Sequence, residues 1–222
     1  VVAAWLFASA RTGDLKHGNL MSIGAYGLIV GLLLLQPDVG MAVVISAVWA
    51  CQFFLAGLPL FWAAGLAIGG VAAFVLAYYT LSHVASRVDR FLDPSSGDSY
   101  QADRSLEAFM NGGMFGRGPG EGTVKEVLPD AHSDFVFAVA GEEFGLFVCL
   151  IIVGLFGFIV LRGFAKALQE TDLFILLATS GLVVQFGLQA VINMGSTLRL
   201  MPTKGMTLPF VSYGGSSLIA MG

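Results

Sequence analysis

The chain has 222 residues, 56% of them apolar and only 12% charged, with a mean hydropathy of +0.82. A soluble domain carries about 25% charged residues, so the composition excludes an ordinary water-soluble fold and points to an all-α, polytopic membrane protein. The net charge of −4 is uninformative about nucleic acid, but there is no basic tract and no nucleic-acid partner is expected; Cys51 and Cys149, each inside an apolar run, argue against a disulfide framework or a metal site.

Residues 1–10 are apolar but too short to span a bilayer, which needs about 20 residues, and they read as the tail of a helix. They lack the basic flank and cleavage site of a signal peptide. The chain stops at Gly222, five residues into another apolar run, so both ends read as cut helices of a longer protein. Residues 11–19 form a polar loop, and residues 20–35 the next span. The turn Gln36-Pro37-Asp38 ends it, because proline cannot continue the helical ladder. Residues 40–55 form a further span, Gly57-Leu58-Pro59 a tight turn, and residues 60–82 a long span with Tyr78 and Tyr79 placed as an interfacial belt.

A polar interval, residues 85–143, follows. It holds 11 of the 15 acidic residues and five of the 11 basic ones. Ser95-Ser96-Gly97-Asp98-Ser99 is turn-rich. Residues 103–110 have helical spacing, with Leu106, Phe109 and Met110 on one side, and are expected to lie flat on the membrane. The glycines from Gly112 to Gly122 permit a tight path. They lack the Gly-Lys-Ser/Thr ending of a phosphate-binding loop, so a flexible surface loop is the better reading. Residues 135–161 span again, residues 162–171 turn, and residues 172–194 span with Gln185, Gln189 and Asn193 as a polar stripe facing the bundle interior. Residues 195–217 form a last loop.

The chemistry-bearing candidates lie in the two polar loops and the stripe. Asp134 stands where the first loop turns back into an apolar run. A partly desolvated carboxylate there could act as a base; equally, it could complement the helix dipole, with Ser133 as N-cap. Glu142 and Glu143 are costly so close to hydrocarbon, and a buried hydrogen bond or ion pair is the favoured role for both. Lys204, between Pro202 and Gly205, suits a pyrophosphate or an acidic partner, or is a snorkelling lysine. Arg87 and Arg90 could hold lipid phosphate or anchor at the interface. His132 could orient Asp134 or be a plain loop residue. Glu126 and Ser212, in the same two loops, and Gln185 and Gln189 complete the candidate substrate-binding set. Lys and Arg number four on one set of alternate loops and seven on the other, which leaves orientation open by charge alone.

Five blocks then carry a resemblance: Gln36-Pro37-Asp38-Val39-Gly40; Phe91-Leu92-Asp93-Pro94; Leu128-Pro129-Asp130-Ala131-His132-Ser133-Asp134-Phe135; Gly141-Glu142-Glu143-Phe144-Gly145; and the run from Pro202-Thr203-Lys204-Gly205 to Ser216-Ser217. Over nearly its whole length the chain resembles the SEDS family (FtsW, RodA and SpoVE). The Pro-Thr-Lys-Gly form is closer to the division-type and sporulation members than to the elongation type. Ser133 and Asp130 depart mildly from the commoner threonine and glutamate.

The resemblance implies a transmembrane bundle of ten helices, of which residues 1–222 would be a single membrane domain running from the end of the fourth to the start of the tenth. It implies that residues 85–143 and 195–217 are extracytoplasmic loops. It implies a peptidoglycan glycosyltransferase of the bacterial inner membrane, at the division septum, that polymerises lipid II into glycan strands. A class B penicillin-binding protein and other division proteins would be its partners. Asp134 maps onto the family's essential aspartate and takes the role of general base. Lys204, Arg87 and Arg90, in that order, would neutralise the leaving pyrophosphate, and a divalent cation, Mg or Mn, could assist. A lipid II flippase and a scaffold for a penicillin-binding protein are the competing expectations.

Overall fold

Among the described residues the apolar runs are helical, because inside a bilayer each N–H and C=O must be paired within its own segment. The computed structural model describes the chain except residues 37, 58–59, 81, 93–99, 202–204 and 214–222, and except the side chains of residues 60, 62–64, 66–67, 73, 83, 87 and 90–92. Among the described residues the helices are α1 Val2–Thr12, α2 Gly18–Leu35, α3 Val39–Leu55, α4 Leu60–Thr80, α5 Ser82–Leu92, α6 Tyr100–Gly112, α7 Val136–Ala167 and α8 Leu173–Thr197, with a 3-10 turn at Val124–Glu126. No strand occurs among the described residues. Among the described residues three helices (α2, α7 and α8) are long and apolar enough to cross a membrane.

Helix ends follow local chemistry. Gly13, in the left-handed region at φ 88°, closes α1. Asp38 caps α3 by accepting the Met41 N–H at 3.0 Å, and Asp172 caps α8 by accepting from the Phe174 and Ile175 N–H groups at 2.8 and 3.2 Å. Three boundaries differ most from the sequence reading. Helix α7 runs on through Arg162 to Ala167, where a turn is expected from residue 162. The polar interval opens not as a loop but as α5, where Val84, Val88 and Phe91 recur at helical spacing among polar residues. The last loop begins later than Gly195, because α8 runs to Thr197, where the Thr197 and Ser196 hydroxyls donate to Asn193 O at 2.7 and 3.0 Å and so satisfy a carbonyl in its final turn.

The chain divides into two compact units. The first, Val1–Val84 with Ile159–Phe186, packs Phe7, Trp49 and Ala56 with Leu177 in its core. Its buried polar groups tie helix to helix: Trp49 Nε1–H donates to Ser22 Oγ at 3.0 Å, and Gln52 Nε2 donates to Leu177 O at 3.1 Å. The second unit is Ala85–Phe158 with Gly187–Gly222. Its core gathers Ala108 of α6, Val124 and Leu128 of the polar loop, and Phe135 and Ala138 at the start of α7.

Within the second unit, α7 is broken. Its 32 residues would run roughly 48 Å at ~1.5 Å per residue, far beyond a hydrocarbon core of about 30 Å. Gly145, at φ 76° and ψ −174°, interrupts it. The glycine loop pairs the backbone groups around the break: Arg117 N–H donates to Glu142 O and Gly118 N–H to Glu143 O, each at 3.0 Å, and Leu146 N–H donates to Gly113 O at 3.0 Å. Only glycine fits at Gly116, because φ is 82° there and a Cβ would come within 3 Å of the Glu143 carbonyl. The loop read as flexible from sequence is therefore locked onto a helix. Two of its N–H groups, at 117 and 118, are spent on α7 carbonyls.

Glu142 and Glu143 take the bonding role favoured for them. Glu142 is fully buried and accepts from Thr123 N at 3.1 Å and Val124 N at 3.1 Å, with Arg117 Nη1 3.6 Å away. Glu143 pairs with Lys125 Nζ at 2.5 Å. The flat amphipathic face expected on residues 103–110 does not form as drawn. Phe109 turns inward, its ring 5.5 Å from that of Phe137, and packs against Gly141.

Candidate active site

Asp134 is built by a turn that starts at Asp130. Asp130 sits in the left-handed region at φ 57°, which aspartate tolerates better than most side chains. Its carbonyl faces forward along the chain and accepts from the N–H groups of Ser133, Asp134 and Phe135 at 3.1, 2.9 and 3.3 Å. The Ser133 hydroxyl donates to the same oxygen at 3.3 Å. Helix α7 then begins at Val136. Asp134 thus stands ahead of the first helical turn, and Ser133 donates upstream instead of capping.

The loop after α8 closes over this turn. Asn193, fully buried on α8, gives both hydrogens of its amide to backbone carbonyls: Nδ2 donates to Asp134 O at 2.8 Å and to Met206 O at 2.6 Å. Tyr213 N–H donates to His132 O at 3.0 Å, a second tie between the two loops. Gly205 lies against the carboxylate itself, so that a Cβ there would meet Asp134 Oδ2 within 3 Å. The lack of a side chain at Gly205 thus lets the second loop approach the carboxylate closely.

Electrostatics suit a base. Burial, and next the charge of Asp130, push the Asp134 carboxyl above the usual aspartate range. Both causes disfavour the anion, so it binds a proton more strongly than an exposed aspartate would.

The other candidates separate. His132 is exposed and joins the site through its carbonyl. Ser212 is buried, and its Oγ accepts the Leu208 N–H at 2.7 Å, bracing the second loop from inside. Gln189 is buried one turn before Asn193, and neither its Oε1 nor Asn193 Oδ1 has a hydrogen-bond donor among the described residues. Gln185 is partly buried one turn earlier. Glu126 is exposed at the end of the 3-10 turn. Lys204 lies outside the described residues, as do the side chains of Arg87 and Arg90, whose backbone is in α5. Among the described residues no three His, Cys, Asp or Glu side chains converge as metal ligands. Sequence reading placed Asn193 in a polar stripe without singling it out. Its four-residue spacing from Gln189 was the available signal, but its partners are set by folding alone.

The family model for FtsW, RodA and SpoVE, described as cell cycle protein, matches residues 1–222. Similar proteins include the probable peptidoglycan glycosyltransferase FtsW of Caulobacter vibrioides, 46% identical, with 100% of this chain and 57% of that protein covered. Its counterpart in Saccharophagus degradans is 44% identical, with 86% and 51% covered. The chain thus spans about half the length of the curated relatives it matches. Among solved structures, a chain of a peptidoglycan synthase complex that coordinates polymerization and crosslinking superposes with a TM-score of 0.71 at 35% identity, covering 88% of this chain and 56% of that one. The rod shape determining protein RodA of Thermus thermophilus gives a TM-score of 0.56 at 34% identity, covering 88% and 50%.

Proposed function

The chain belongs to the FtsW/RodA/SpoVE family of cell cycle proteins, and from that membership we propose that the protein polymerises lipid II into glycan strands, as a peptidoglycan glycosyltransferase. The acceptor is the sugar 4-hydroxyl of an incoming lipid II. The donor is the growing strand on undecaprenyl pyrophosphate. One bond forms, from the acceptor oxygen to the anomeric carbon. One breaks, from that carbon to the pyrophosphate, which leaves with the electron pair. A hydroxyl is a weak nucleophile, so Asp134 takes its proton as the new bond forms. Lys204, Arg87 and Arg90 are the proposed cations for the leaving group, and a divalent cation remains a candidate assistant. The polar stripe Gln185 and Gln189, with Glu126, His132 and Ser212, completes the proposed substrate-binding set.

The observation that carries this reading is the Asp134 carboxylate: partly buried, raised in pKa, and fixed by its backbone at a loop–helix junction. Residues 85–143 and the loop after α8 then lie on the outer face of the bacterial inner membrane. Assembly with a class B penicillin-binding protein at the septum completes the proposal. It draws on the FtsW names of the relatives and on the synthase complex among the structural neighbours.

Asp134→Asn in purified full-length protein tests it. Glycan polymerisation is expected to fall a hundredfold or more, within the ~10²–10⁴ range of general-base catalysis. Near-normal synthesis would reject the assignment and leave a flippase or a scaffold. The wild-type rate should fall as pH drops through a raised Asp134 pKa, so its acid limb lies above the ordinary aspartate value of about 3.9. The linkage sign separates chemistry from folding. A folded pKa above the unfolded one gives stability that is complete below the unfolded pKa and lost as pH rises through the folded one. At neutral pH, Asp134→Asn should therefore fold at least as well as wild type.

A further inference from the structure

We propose that Met114 and Phe115, in the loop after α6, insert into the acyl-chain edge of the bilayer on the Asp134 side and hold the second unit at a fixed depth. The break at Gly145 leaves residues 146–161 as the uncharged part of α7, about 24 Å at ~1.5 Å per residue, and with Arg162 and Lys166 reaching outward by snorkelling at its far end this suits a hydrocarbon core of about 30 Å. The start of that part bears outward apolar side chains: Leu146, Phe147, Leu150 and Ile151 are all exposed. The glycine loop is bonded to this first turn and to nothing deeper. Leu146 N–H donates to Gly113 O at 3.0 Å, and Phe147 N–H to Met114 O at 3.4 Å.

Those bonds set the loop's depth, and its side chains agree with it. Phe115 is 80% exposed and Met114 56%, in a segment whose backbone is locked, and the Phe115 ring lies 5.4 Å from that of Phe147. The loop's apolar surface is thus continuous with the surface of a spanning helix. The charges point elsewhere: Arg117 donates to Thr123 Oγ1 at 3.0 Å, and Lys125 pairs with Glu143. Apolar side chains on one flank and paired charges on the other suit a segment at a lipid–water boundary. Insertion itself does not depend on the reaction proposed above; its consequence for Asp134 does. The eleven residue steps from Gly145 back to Asp134 put the carboxylate roughly 16 Å from the lipid edge when counted at the helical rise. A leaflet's headgroup layer is about 5–7 Å thick. A sugar carried on a lipid pyrophosphate just beyond that layer falls within this reach.

Site-directed spin labelling tests the insertion in full-length protein, with native cysteines replaced, in phosphatidylcholine–phosphatidylglycerol vesicles. Labels go at positions 114 and 115, at 147 as the bilayer reference, and at 121 as the aqueous reference. The 114 and 115 labels should collide with oxygen and be shielded from a water-soluble nickel chelate, as at 147. Collision with the chelate as strong as at 121 would overturn the proposal. So would shielding from both agents, which would mean that protein covers the loop. A label at 115 replaces an exposed side chain, so folding should be retained. Polymerisation by the same preparation is a separate measurement, so failure of insertion and failure of the proposed reaction would be told apart.

Discussion

In the first unit, Gly24, Gly27 and Gly31 of α2 and Gly65, Gly69 and Gly70 of α4 have open space where a Cβ would sit. In the second, a Cβ at Gly112, Gly116 or Gly145 would come within 3 Å of the backbone of another segment. The same residue serves opposite ends. In the first unit the helices meet mainly through side chains, as in the aromatic cluster of Phe7, Trp49 and Phe53, and these six glycines only thin their surface; Gly18, where a Cβ would come within 3 Å of Leu6 O, and Gly163 and Gly181, where it would meet the side chains of Val183 and Gln52, are the close-packed exceptions. In the second, backbone docks on backbone and glycine is the condition for it. The difference follows the charge: where polar groups must be held near a bilayer, main-chain bonds fix them without relying on long side chains.

The largest expected effect is therefore on Gly116→Ala. The new methyl would sit on a backbone at φ 82° and collide with the Glu143 carbonyl. Strain and overlap together should cost about 3 kcal/mol or more, roughly 6 °C or more in Tm for a chain of this size. Thermal unfolding of full-length protein in detergent measures it. A Tm within a degree of wild type would end the contrast between the units.

Asn193→Asp should have a smaller, more local effect. An acceptor would replace a donor between the carbonyls of Asp134 and Met206, losing two buried bonds. The expected result is about a tenfold loss of kcat with KM nearly unchanged and a displaced acid limb in the pH profile, because the Asp134 turn would lose its register against Gly205. Asn193→Ser, which keeps one donor, should recover part of the rate. A fall only in the yield of folded protein, with an unmoved pH profile, would make Asn193 a packing residue and no more.

These effects also mark what the sequence could disclose. The spans were legible because a bilayer leaves an apolar run one option, and Pro37, Gly57 and Pro59 punctuate the runs. Asp134 was legible because a carboxylate at a loop–helix junction is conspicuous in a chain so poor in charge. The break at Gly145 was not. Glycine within an apolar run has many uses, and the groups that make a break affordable come from Gly113, Arg117 and Gly118, far back in the chain. Glu142 was suspected of bonding, but its partners, Thr123 and Val124, could not be named. The Asn193 clamp reaches 59 residues back to Asp134, and nothing local to either residue announces the other.

The smallest expected effect is on Gly27→Ala. Gly27 lies in the interior of α2, exposed, with nothing within 4 Å of a Cβ. Alanine is the better helix former by about 0.5–1 kcal/mol in water. The gain shrinks in lipid, where an unfolded backbone has no water to bond and the helix is already favoured. Tm and polymerisation should therefore stay within error of wild type, or Tm should rise slightly. A clear fall in Tm would mean that a further helix of the whole protein packs closely on this face. Gly27 would then join Gly116 as a docking glycine, and the contrast would lie between covered and uncovered faces, not between the two units.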